Sequence, residues 1–119
     1  MNIAIFGRNL REEQKPYIAK LFSGLDKYRV NTFVFQPFSQ YLSGLIPSSL
    51  TVEMFYHHEQ LIGKVDLMLS IGGDGTLLDT ITLIRDSLIP ILGINLGRMG
   101  FLSSVNKDRI ENIIDEVIE

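Results

Sequence analysis

The 119-residue chain contains no cysteine. That excludes a disulfide framework and a thiol nucleophile, and it fits a reducing compartment. Positive charge is not in excess either: 11 Lys and Arg against 14 Asp and Glu leave a formal net charge of -3. That sign argues against nucleic acid or an anionic membrane surface as the partner. No apolar run approaches the length needed to span a bilayer. The opening Met1-Asn2-Ile3-Ala4-Ile5-Phe6 moves straight into strand-forming residues, without the basic flank and long apolar core of a signal peptide. Long polar and low-complexity stretches are missing as well, so one domain is expected, and an apolar fraction of 45% is enough for an ordinary core. These absences together predict a cytoplasmic protein without a membrane anchor.

What is present alternates between strand and helix patterns. Ile3 to Phe6 reads as a first strand ending at Gly7, and residues 11 to 28 as a helix with Ile18, Leu21, Phe22 and Leu25 on one face. Pro16 puts the first turn of that helix near Gln14 or Lys15. Val30 to Phe35 reads as a second strand closed by Pro37, residues 38 to 50 as irregular chain around a short helix, and Thr51 to Tyr56 as a weak strand. Val65 to Ile71 and Ile89 to Ile94 have the near-continuous apolar character of strands buried on both faces. Residues 107 to 119 form an amphipathic helix with Ile110, Ile113, Ile114, Val117 and Ile118 on one stripe. The expected fold is α/β, an open, mostly parallel Rossmann-like sheet with helices on both faces. Ligands in such sheets bind beyond the carboxyl ends of the strands.

One strand end is unusual. Residues 70 to 80, Ser-Ile-Gly-Gly-Asp-Gly-Thr-Leu-Leu-Asp-Thr, put three glycines and a carboxylate between a strand and a helix on which Leu77, Leu78, Ile81, Ile84 and Leu88 fall mostly at helical spacing. Gly72, Gly73 and Gly75 let an anionic ligand approach backbone N–H groups, and the helix start adds further N–H donors and its positive dipole end. Asp74 inside an anion-binding loop has two readings. Asp-Gly is ordinary turn and cap chemistry. Alternatively, Asp74 accepts a proton from a hydroxyl or helps position a metal while the loop, with Thr76, holds a phosphate chain. No lysine follows the glycines, so a Walker A loop is excluded, and their spacing does not give the GxGxxG dinucleotide fingerprint.

The segment GGDGT followed by a leucine-rich helix resembles the superfamily of NAD kinases, diacylglycerol and sphingosine kinases, and 6-phosphofructokinases. Downstream, Pro90-Ile91-Leu92-Gly93-Ile94-Asn95-Leu96-Gly97-Arg98-Met99-Gly100-Phe101-Leu102 is similar to the second signature of the NAD kinase family. The Gly-Thr-Gly-Asn-Asp type segment of the lipid kinases is absent, and Ile3 to Asn9 contains only Gly7 where phosphofructokinases carry another glycine-rich loop. The resemblance implies ATP-dependent phosphorylation of the 2′-hydroxyl of the adenosine ribose of NAD, with Mg²⁺ brought by ATP and no metal site of the chain's own. It implies Asp74 as the general base or orienting group, and Gly72, Gly73, Gly75 and Thr76 as the phosphate loop. Leu78 and Phe101, with Met99 close by, would wall the adenosine end of NAD. NAD kinases continue into a second, largely β domain that completes the NAD pocket, so the chain is expected to be a first domain, incomplete as an enzyme, from a parent that forms a homo-oligomer. The alternatives are a lipid or sugar kinase of the same superfamily, or a non-catalytic nucleotide-binding or assembly module.

Other residues attract weaker functional readings. Arg8 follows the first strand and can reach a phosphate, although a solvated arginine is the commoner case. Adjacent His57 and His58 point apart on either a strand or a helix, so they are read as solvated or packing residues rather than metal ligands. Asp79 is read as a first-turn helix residue favouring the dipole. Asn95 either orients the loop before Gly97 or ends a strand. Phe33, Phe35 and Phe38 are read as core because no basic residues interleave them.

Overall fold

A computed structural model describes residues 1–85, 87–97 and 105–118. Six parallel strands form one sheet: β1 (Asn2–Gly7), β2 (Asn31–Phe35), β3 (Val52–Phe55), β4 (Leu67–Gly72), β5 (Ile91–Asn95) and the two-residue β6 (Val105–Asn106). They lie in the order β3-β2-β1-β4-β5-β6. Helices α1 (Lys15–Lys27), α2 (Gln36–Ser39), α3 (Asp74–Ile84) and α4 (Ile110–Ile118) connect or follow them. Among the described residues no helix is long and apolar enough to cross a membrane.

The strand period of two sorts side chains into two cores. Ile3, Ile5, Val34, Leu69, Ile71 and Ile94 meet Ile18, Leu21, Phe22 and Leu25 of α1 and Ile110, Ile113 and Ile114 of α4. Ala4, Phe6, Phe33, Phe55 and Met68 face the other way, against Ile84 of α3, Leu61 and Ile89. Each large side chain fully buried here, Phe22 and Leu21 for example, contributes roughly 1.5–3 kcal/mol against conformational entropy. Gly24 lets α4 come close to α1: a Cβ there would stand 3.2 Å from Cγ2 of Ile114.

Most expected elements are present with ends shifted by a residue or two. The helix beginning at Lys15 has Pro16 in its first turn, and residues 107–109 are a 3₁₀ turn before α4. Phe33 and Phe38 are buried. Two expectations are corrected. Asp79 is not in the first turn of α3 but is its sixth residue. The apolar stripe on α3 is buried only in part: Ile84 is buried, but Leu78 and Ile81 are 55% and 47% exposed, and Leu88 lies beyond the helix and is 92% exposed. Thr80 joins Ile84 in facing the sheet. Thr80 tolerates full burial because its hydroxyl lies 2.8 Å from both Ser70 Oγ on β4 and the Thr76 carbonyl.

Candidate phosphate-binding site

Chain direction creates the site. After β1 the chain runs into α1 on one face of the sheet; after the neighbouring β4 it runs into α3 on the other. The two loops part at the carboxyl end of the strands, as at the switch point of a doubly wound sheet. A cleft of about 440 Å³ opens there, lined by Asn9, Arg11 and Gln14 after β1, Ile71, Gly72, Gly73 and Thr76 at the end of β4, and Asn95, Leu96 and Gly97 after β5.

Backbone bonds hold the loop. The Gly72 carbonyl accepts the Leu96 N–H at 3.1 Å, tying the β4 and β5 ends together, and the Gly73 carbonyl accepts the Leu77 N–H at 3.0 Å as the first bond of α3. An α-helix makes no use of the N–H groups of its first turn, so donors cluster where the cleft meets α3. Gly72 has φ +151°, and a Cβ on it would lie 2.6 Å from Thr76 Oγ1. Thr76 folds back over its α-carbon, which only glycine permits. At Gly73 and Gly75 an added Cβ would meet nothing within 4 Å; there the space belongs to whatever binds. On the facing wall the Arg11 N–H donates to Gln14 Oε1 at 2.9 Å, fixing that amide beside the cleft, and the Arg11 guanidinium pairs with Glu13 at 3.2 Å on an exposed surface. The arrangement of donors, one cation and side-chain-free backbone suits an anionic, phosphate-like ligand.

Residues 18–119 match the model of the ATP-NAD kinase N-terminal domain. The chain belongs to that family. It is 40% identical over 121 residues to an NAD kinase of Cytophaga hutchinsonii, covering 99% of the chain and 40% of the relative. It is 38% identical over 119 residues to one of Flavobacterium psychrophilum, covering 100% of the chain and again 40% of the relative. The fold also superimposes on the crystal structure of yeast NADH kinase complexed with NADH, with a TM-score of 0.78 at 22% identity over 99% of this chain and 36% of that one. The chain thus spans about 40% of the length of the NAD kinases it matches.

Against this family background, Gly72, Gly73 and Thr76 line the cleft, while Asp74 and Gly75 are the first two residues of α3. Leu78 stands one helical turn beyond Asp74, on the same face of α3. Met99 and Phe101 lie outside the described residues, as does Arg98. Arg8 is directed elsewhere. Its guanidinium lies 5.2 Å from the centre of the Phe6 ring and pairs with Asp79 at 3.0 Å, in a separate pocket of about 300 Å³ shared with His57 and His58. Asp79, beyond the first turn of α3, is therefore an ion-pair partner rather than a dipole residue. Both histidines belong to the turn after β3, and among the described residues no group of three or more His, Cys, Asp or Glu could hold a metal. The cation in the cleft is Arg11, which sequence reasoning missed together with Asn9 and Gln14. The strand period held the signal, since Ala4, Phe6 and Arg8 alternate onto the α3 side.

Proposed function

We propose that the complete protein transfers the terminal phosphoryl group of ATP to the 2′-hydroxyl of the adenosine ribose of NAD, giving NADP. Family membership supports this reading, and the observation that carries it is the cleft between the β1 and β4 loops, with its open glycines, helix start and Arg11. The N–H groups of the Gly72–Thr76 loop and the Arg11 guanidinium hold the phosphate chain. Mg²⁺ arrives with ATP as part of the substrate and offsets its charge. Asp74 orients the ribose hydroxyl and accepts its proton as the oxygen attacks the γ-phosphorus and the bond to the ADP oxygen breaks. Leu78, exposed and on the same helix face as Asp74, packs against the adenosine end of NAD, with Met99 and Phe101 completing that wall. The remaining length carried by the relatives supplies a β-rich second domain and the rest of the NAD pocket, in a homo-oligomeric cytoplasmic enzyme.

The test follows NADP formation by the full-length protein from ATP, Mg²⁺ and NAD. Because a positioned base is worth about 10² to 10⁴ in rate, Asp74→Asn should lose roughly that factor in kcat while still binding NAD. Near-normal turnover in this variant would remove Asp74 from the role, and phosphorylation of a lipid or sugar in place of NAD would move the reading to another kinase class.

A further inference from the structure

We infer that the side-chain amide of Asn95 donates to a phosphate oxygen at the β5 wall of the cleft, an inference that rests on the phosphoryl-transfer reading above. Asn95 ends β5 in register with Gly72, is 2% exposed and lines the cleft. The two ends of its amide are in different situations. Oδ1 accepts the Gly97 N–H at 2.9 Å. That bond fixes the orientation of the group, because a flipped amide would set NH₂ against an N–H donor. Nδ2 is buried and has no acceptor among the described residues.

Folded proteins leave few buried donors unpaired, since an unmade bond forfeits the solvation the group had in water. The other unpaired buried side-chain atom among the described residues, Ser87 Oγ, follows α3 and does not line this cleft. Around Asn95 stand Gly72 and Gly73, without side chains, the first turn of α3 and Arg11. Each presents a donor or positive charge. A ligand in contact with all of them is rich in acceptors and negative, as a polyphosphate is, and an oxygen of it satisfies Nδ2. Asn95 thus joins two functions in one side chain: Oδ1 shapes the loop that begins at Leu96, and Nδ2 reads whether the cleft is filled by an anion.

Asn95→Asp separates the two, because it keeps the acceptor for the Gly97 N–H and the shape of the side chain but replaces NH₂ with a carboxylate oxygen. Inorganic tripolyphosphate is the probe, with its affinity for the full-length protein measured by calorimetry. The expected result is binding weaker by at least about tenfold, because the charge-assisted hydrogen bond is lost and a carboxylate faces the phosphate in its place. Equal affinity in variant and parent would overturn the inference. Should the variant fail to fold, the side-chain amide resonances of Asn95 in the unsubstituted protein decide: tripolyphosphate should shift them and slow their exchange with water, and resonances that do not move overturn it. The two readings fail separately. No NADP from the unsubstituted enzyme would remove the kinase reading. NADP formation together with undiminished tripolyphosphate binding by Asn95→Asp would remove only the role of Asn95.

Discussion

Adjacent glycines in the loop should respond oppositely to substitution, and the contrast tests whether the loop is built as described. At Gly72 an alanine Cβ would lie 2.6 Å from Thr76 Oγ1 and 2.9 Å from Thr76 Cβ. Rotating the Thr76 side chain relieves the first contact but not the second, because the Cβ is fixed by the first turn of α3. The backbone φ of +151° adds strain of its own. Overpacking and an unfavourable dihedral each cost about 1–3 kcal/mol, so Gly72→Ala should destabilise by roughly 2–6 kcal/mol. For a domain of this size that lowers the melting temperature by on the order of 10–20 °C. Gly73, with φ −119° and ψ −161°, has ordinary extended backbone and occupies the N-cap position of α3. Gly73→Ser installs a preferred cap in open space, so the melting temperature should stay within about 2 °C of the parent or rise. The new side chain stands where the proposed phosphate approaches, and ATP affinity should fall by about tenfold or more with the lost N–H contact. Thermal melts by circular dichroism and ATP binding by calorimetry read the two effects independently. Parent-like melting of Gly72→Ala, or a large drop for Gly73→Ser, would refute the account of the loop.

The two arginines of the β1–α1 loop give a second contrast: Arg11→Ala should raise the KM for ATP by about tenfold or more. Arg8→Ala should change it less than about twofold, because what it removes lies outside the cleft, the contact with the Phe6 ring and the exposed pair with Asp79, the latter worth about 0–1 kcal/mol; the reverse order in steady-state assays would place the phosphate in the other pocket. The α1–α4 contact should be pH-dependent. The Tyr28 hydroxyl donates to Asp115 at 2.5 Å and, with help from Lys27, holds the Asp115 carboxyl below its ordinary 3.8, while the Asp115 charge holds Lys27 above its ordinary 10.5. The Asp115 share of stability is present above 3.8 and lost as pH falls through the lowered folded value; the Lys27 share is present below 10.5 and lost as pH rises through the raised one. In Tyr28→Phe the Asp115 carboxyl should therefore titrate at higher pH when followed by carbon NMR, and an unmoved titration would show that the hydroxyl does not set it.

The limits of the sequence reading follow from which physical signal each feature leaves in the chain. Strands β1, β4 and β5 and helix α1 were legible because burial on a fixed face imposes a period on their residues. The Gly72–Thr76 loop was legible because three glycines beside one carboxylate exceed what a turn needs. Periodicity names the residues that share a face but not what covers them. Helical spacing on α3 therefore grouped Leu78 and Ile81 with Ile84, whereas Thr80, polar in composition, is buried beside Ile84 because Ser70 stands opposite its hydroxyl. The far wall of the cleft was out of reach for a different reason. Asn9, Arg11 and Gln14 become site residues only because β1 pairs with β4 rather than β3, and that choice is made by contacts more than sixty residues apart in the chain. Asn95 shows the same limit in one side chain. Its place before Gly97 could be read locally, and the structure confirms the bond between them. The unused donor on its other side becomes visible only when β5 lies beside β4 and the space around Nδ2 can be searched for an acceptor. Strand order thus sets a second wall opposite a local motif with one recognisable wall, and the cleft between them is the one proposed to hold phosphate. Substitutions on the far wall, Arg11 and Asn95 before any glycine, test the fold and the proposed chemistry together.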